Sequence, residues 1–149
     1  MEKIDRELLI KEISRRLPYG IKVQVLGWNE EKGEVEVPLK VYSINTDGYL
    51  SFEYNHYNVE AIYVEDCRLY LRPMSSMTEE EKIYIDHKWG ADIYGNITTY
   101  SSYEGGVSEI ELADIVGFQD WLNKNMFDYR GLIEKGLAIE VTESNNPYK

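Results

Sequence analysis

Cys67, His56 and His87 are the side chains best suited to nucleophilic or metal chemistry, and they are the chain's only cysteine and its only two histidines. A zinc site usually draws three or four ligands from Cys and His at close spacing. These three residues fall instead at an expected strand corner, a turn and a helix end, so no metal site is expected. Asn45-Thr46-Asp47-Gly48 lacks the further oxygen ligands of a calcium loop and reads as a hairpin turn. Cys67 follows Glu65-Asp66, an acidic pair that raises a thiol pKa and disfavours a nucleophilic thiolate. It reads as a buried strand cysteine. There is no G-x-S-x-G elbow, no G-x-x-x-x-G-K-[ST] phosphate loop and no G-x-G-x-x-G turn. The sequence therefore assigns no catalytic residue and no cofactor. A hydrolase would require a deep pocket that gathers His56, His87 or Cys67 with acids.

The pattern that suggests a binding surface is an alternation. If Val41, Leu50 and Leu71 point inward on strands, Tyr42, Tyr49 and Tyr70 point outward, flanked by Arg68 and Arg72. Exposed tyrosines supply contact area at low entropic cost and can grip a peptide or stack on bases. The competing expectation is that these rings pack beneath helices. Arg72 and Arg130 are scarce cations in an acidic chain. They either pair with acids or converge on a ligand anion.

Composition narrows the partners. The 149 residues hold 16 Lys and Arg against 27 Asp and Glu, a net charge of −11. Residues 1–75 carry −3 and residues 76–149 carry −8. Such a field repels nucleic-acid backbones and anionic lipid, so direct nucleic-acid binding is not expected. Hydrophobic residues make up 43%, and the 13 Tyr, 3 Trp and 3 Phe imply a packed core rather than a disordered polyanion. No run approaches the roughly 20 apolar residues of a membrane span. Met1 to Arg16 has neither an apolar h-region nor a small-residue cleavage site, so a cytoplasmic location is expected.

The elements that would position these residues follow from periodicity. Ile4, Leu8, Leu9, Ile13 and Leu17 recur at helical spacing, with Asp5 as a possible cap, Lys11, Arg15 and Arg16 toward the end, and Pro18 and Gly20 as the stop. Five short strands are expected between Gly20 and Pro73. They are Ile21–Val25, Val35–Val41 (with Pro38 marking an edge or bulge), Leu50–Tyr54, Val59–Val64 and Arg68–Arg72. A flat sheet would leave open edges and one apolar face bare. The expectation is an α+β fold in which a small SH3-like curled β-barrel of about five antiparallel strands carries the N-terminal helix and C-terminal helices.

Thr78-Glu79-Glu80-Glu81 is a capping box for a helix to about His87 that buries Ile83. Residues 90–108 read as a loop or irregular hairpin. A further helix is expected from Leu112 to Asn125 with Ile115, Phe118, Trp121 and Leu122 on its apolar stripe, although Gly117 weakens its start. Asp128 is placed to cap a short helix to Lys135, Gly136 to end it, and Leu137–Val141 to add a strand. The chain reads as one domain: helix 1–19, barrel 20–73, mixed half 74–141 and a fraying tail 142–149.

Two segments are more specific than any pattern: Leu69–Glu81 (LYLRPMSSMTEEE) and Phe127–Ala138 (FDYRGLIEKGLA). Both, with Leu17-Pro18-Tyr19-Gly20, resemble the signature stretches of an uncharacterised family of small proteins from Bacteroidales and their phages. The resemblance implies a bacterial or phage cytoplasm and carries no catalytic residue across. The expected function is a non-enzymatic module that binds a protein partner. The alternative is an acidic DNA mimic that occupies a nucleic-acid-binding protein.

Overall fold

The structure is a computed structural model that describes residues 2–26, 38–54, 57–97 and 112–149. Val35, Val37, the turn holding His56 and most of the expected 90–108 loop lie outside the described residues. No helix among the described residues is long and apolar enough to cross a membrane. The fold is α+β, and the chain divides into two compact units, 1–71 with 131–149 and 72–130.

In the first unit, helix α1 (Lys3–Arg16) runs into a single 3₁₀ turn, Leu17–Tyr19, and Gly20 stops it at φ +79°. Only a residue without a Cβ takes that left-handed conformation at no steric cost. Five strands follow: β1 (Lys22–Val25), β2 (Leu39–Ile44), β3 (Tyr49–Tyr54), β4 (Tyr57–Tyr63) and β5 (Cys67–Pro73). The order β4-β3-β2-β1-β5 is antiparallel throughout, and β7 (Ala138–Glu140) lies parallel to β5 through Leu69–Leu71. The sheet is thus mixed.

It does not close into a barrel. Among the described residues no pairing joins β4 to β5 or β7. The two problems that closure would solve are met otherwise. Segment 138–140 occupies the open side of β5, and α1 packs against β2 and the 3₁₀ turn Val64–Asp66 with Leu9 and Ile13 fully buried. Of the two expectations that Pro38 raises for its strand, an edge or a bulged one, the edge fails because β2 is interior to the sheet, and Pro38 sits just before its first residue. The register shift falls later in β2, between Val41 and Ser43.

The helix buries charge where a plain amphipathic reading places it in water. Glu12 and Arg16 are both fully buried, and the Arg16 Nη1 atom donates to the Glu12 Oε2 atom at 2.7 Å and to the Glu12 carbonyl at 3.0 Å. Arg15 pairs with the other Glu12 oxygen, while Ile4, expected inward, is exposed. The tail does not fray. Tyr148 hydroxyl accepts from the Lys22 amide at 3.1 Å and donates to the Tyr70 carbonyl at 2.8 Å, and Lys22 Nζ donates to the Pro147 carbonyl. Burial pushes the Tyr148 phenol up, which keeps that donor protonated.

The second unit holds α2 (Glu79–Trp89), α3 (Leu112–Lys124) and β6 (Phe127–Asp128), which pairs in parallel with Arg72 and Pro73. Its core is Met77, Ile85, Trp89, Ala91, Phe118, Leu122 and Phe127. The α2 capping box forms as expected, but the helix buries Ile85 and Trp89, and Ile83 is exposed. On α3, Ile115 is half exposed while Phe118 and Leu122 are buried. Gly117 has a packing reason: a Cβ there would lie 3.3 Å from Trp89 Nε1. Asp128 caps no helix, because it belongs to β6, and residues 132–136 form turns rather than a helix.

The buried pair yields the first expected outcome. Arg16→Met leaves a carboxylate short of its buried partner and should cost roughly 3–5 kcal/mol in urea unfolding. Glu12→Met with Arg16→Met should cost clearly less than the sum of the single changes. Additive costs would show that the two side chains do not act as a pair.

Candidate functional site

On β2 and β3, Val41, Leu50 and Phe52 are buried, and the residues between them face the other way. Tyr42 is 66% exposed. The shift between Val41 and Ser43 turns both Tyr42 and Ser43 outward, where Ser43 Oγ meets Ser51 Oγ. Tyr49 stands opposite Tyr63 in register, and its hydroxyl donates to the Tyr63 hydroxyl at 2.9 Å. Their rings lie 4.6 Å apart at 40°. That hydrogen bond raises the Tyr49 pKa, so its phenol stays protonated under ordinary conditions.

The hairpin below fixes this arrangement. Asn45 Oδ1 accepts from the amides of Asp47 and Tyr49, and Gly48 turns at φ +82°. A Cβ on Gly48 would come within 2.6 Å of Arg6 Nη2. Arg6 itself bonds the Asp47 carbonyl and pairs with Glu65, tying the turn to α1.

The six residues that the sequence nominates divide between the two units: Tyr42, Tyr49, Arg68 and Tyr70 belong to the first, Arg72 and Arg130 to the second. Tyr42 and Tyr49 share the outer face, joined by Tyr63 from the strand expected over Val59–Val64. Tyr70, expected outward, is buried. Both faces of β5 are covered over Leu69–Leu71, where all three residues are buried, and the tail rests on the Tyr70 carbonyl, so strict in-and-out alternation fails. Arg68 is half-buried and donates to the carbonyls of Glu65 and Cys67.

Arg72 and Arg130 lie in the second unit, and Arg72 pairs with an acid. Arg72 makes a bidentate pair with Glu81 at 2.7 and 3.0 Å, and its guanidinium stacks 4.1 Å over the Phe127 ring. The capping-box glutamate thus also clamps the end of β5, which gives Leu69–Glu81 a structural account. Arg130 is exposed, and among the described residues no carboxylate pairs with it. In the other segment, Tyr129 hydroxyl donates to Asn123 Oδ1 at 2.9 Å, and Gly131 and Gly136 take positive φ angles.

Of the side chains suited to nucleophilic chemistry, Cys67 and His87 are among the described residues. Cys67 is buried, and desolvation, reinforced by Asp66, pushes its thiol up to about 12. His87 is exposed in the last turn of α2. The described residues contain no cluster of His, Cys, Asp or Glu able to hold a metal. Comparison with protein-family models, curated proteins and solved structures finds no match to this chain.

Two outcomes follow. The Cys67 thiol should resist a disulfide reagent at mildly alkaline pH until urea is added; rapid reaction of the folded protein would restore it as a nucleophile. Partial burial alone would raise the Glu81 carboxyl, but its bonds to Arg72 and Thr78 outweigh that and hold it below its ordinary value of 4.5. The resulting stability is present above pH 4.5 and is lost as the pH falls through the depressed value. The stability gap between the native chain and Glu81→Gln should therefore narrow on acidification. A gap that ignores pH would refute the ion-pair account.

Proposed function

We propose that the chain is a non-enzymatic protein-interaction module of bacterial or phage cytoplasm, built on an opened SH3-like sheet. The observation that carries this reading is the outward group of Tyr42, Tyr49 and Tyr63 on β2–β4. Monomeric proteins seldom leave several large rings together on one face unless a partner covers them. Tyr49 and Tyr63 hold each other, so little side-chain entropy remains to be lost on contact. The strand order β4-β3-β2-β1-β5, with a 3₁₀ turn leading into the strand that returns beside the first, supports the SH3-like description. The resemblance of the Leu69–Glu81 and Phe127–Ala138 segments supports the setting.

The DNA-mimic alternative asks for free carboxylates spaced along one face. Glu12, Glu65, Glu79 and Glu81 are instead engaged by Arg6, Arg15, Arg16, Arg72 and Lys82. That pairing favours the interaction module.

Affinity capture from native cells at mild salt, with the full chain as bait, tests the proposal. The chain should enrich a specific protein, and Tyr42→Ala should lower its recovery about tenfold, the loss of one aromatic anchor. Tyr42 is exposed, so that variant should melt with the native protein. Equal recovery by both baits, or recovery of the bait alone, would overturn the reading.

A further inference from the structure

Beside the Tyr49–Tyr63 pair stands the Asp47 carboxylate, exposed in the Asn45–Gly48 turn, and among the described residues no cation pairs with it. Arg6 serves the Asp47 carbonyl and the Glu65 carboxylate instead. The Tyr49 phenol is pushed up first by its bond to Tyr63, and more weakly by the Asp47 charge, whose effect exceeds the opposing one of Arg6. Carboxylate and ring are thus within electrostatic reach of each other. Because Tyr49 gives its hydroxyl proton to Tyr63, its oxygen keeps both lone pairs for an outside donor. Lys40 is a cation two residues before Tyr42, but it lies at the far end of β2. Its Cε atom is 3.6 Å from where a Cβ on Gly20 would stand.

The molecule shows once what such a set can hold. In the second unit, Arg72 pairs bidentately with Glu81 while its guanidinium lies 4.1 Å from the centre of the Phe127 ring. The tyrosine face offers rings and a carboxylate with, among the described residues, no arginine between them. We propose that this face binds an arginine side chain of a basic partner segment, its guanidinium against the rings of Tyr49 and Tyr63 and its charge answered by Asp47. This names the partner's chemistry for the interaction reading above and rests on that reading. A partner carboxylate would meet like charge at Asp47 and the negative faces of the rings. A neutral segment would cover ring surface but leave Asp47 desolvated and unanswered. A planar guanidinium stacks on a phenol ring while its edge donates to a carboxylate, which a lysine ammonium cannot do. The net charge of −11 draws such a segment in from a distance.

The probe is a capped Gly-Arg-Gly-Arg-Gly peptide, compared with the same peptide carrying neutral citrulline in place of arginine. Each is titrated into the full chain while backbone amide resonances are followed. The arginine peptide should shift residues 42–49 and Tyr63 and bind about tenfold more tightly than the citrulline peptide. Asp47→Asn keeps a turn-forming residue at an exposed site, so it should melt with the native protein and cut that preference to about threefold or less. Asp47→Ser should do the same. Equal binding of the two peptides, an arginine preference that survives both Asp47 variants, shifts confined to other residues, or no binding would each overturn the proposal. Capture from native cells separates it from the reading beneath it. A partner lost with Tyr42→Ala yet kept with Asp47→Asn would overturn the arginine inference alone, whereas recovery of the bait alone would overturn both.

Discussion

The buried pair of Glu12 and Arg16 governs the first unit, because it leaves α1 one acceptable rotation. Charges taken out of water must meet each other, and misplacing either one costs several kcal/mol. With residues 12 and 16 inward, Leu9 and Ile13 are carried into the core on the same face, and Ile4 is carried out. Arg6 then reaches the carbonyl of Asp47 and the carboxylate of Glu65, the two turns on either side of β3 and β4. A hydrophobic stripe alone would tolerate a helix rolled by one residue. A paired charge inside the stripe does not, and the hairpin that sets the tyrosine face inherits that fixed placement.

What could be read from the sequence was whatever rests on neighbouring residues. The Thr78–Glu81 capping box, the Asn45–Gly48 turn, the Gly20 stop and the bounds of α3 depend on local backbone chemistry, and they stand as expected. What failed depends on contacts far apart in the chain. Parallel pairing of 138–140 with β5 and insertion of Tyr148 between Lys22 and Tyr70 join positions about seventy or more residues apart, and no period in the sequence encodes them. Barrel closure was inferred from the need to cover an edge and a face. The chain meets that need with a helix and a late strand.

The surface shows the same division. Tyr42 and Tyr49 were legible because β2 and β3 alternate against buried Val41, Leu50 and Phe52. Tyr63 was hidden because its partnership with Tyr49 requires the β3–β4 register. Tyr70 departs from that pattern because alternation presumes one wet face, whereas β5 is buried on both faces over Leu69–Leu71. Scarcity alone leaves Arg72 two roles, pairing with an acid or meeting a ligand anion. Its planar guanidinium suits a bidentate carboxylate and a ring face, and Glu81 with Phe127 supply both.

Scarce cations spent on internal pairing shape the molecule's outward character. Arg6, Arg15, Arg16, Arg72 and Lys82 answer glutamates, Arg68 answers carbonyls, and Lys22 holds the tail. Those contacts neutralise charge locally without altering the total of −11, so the surplus that faces water is acidic. Within that field stand the outward rings of Tyr42, Tyr49 and Tyr63. On the reading proposed above, affinity would then come from burying ring surface, while the acidic field would select basic or neutral partners during approach. Salt would slow that approach, because screening acts on the long-range field, and it would leave the contact between rings and partner largely as it was. The division of labour follows from chemistry at two ranges: charge acts across a Debye length, and a tyrosine ring acts only where it touches.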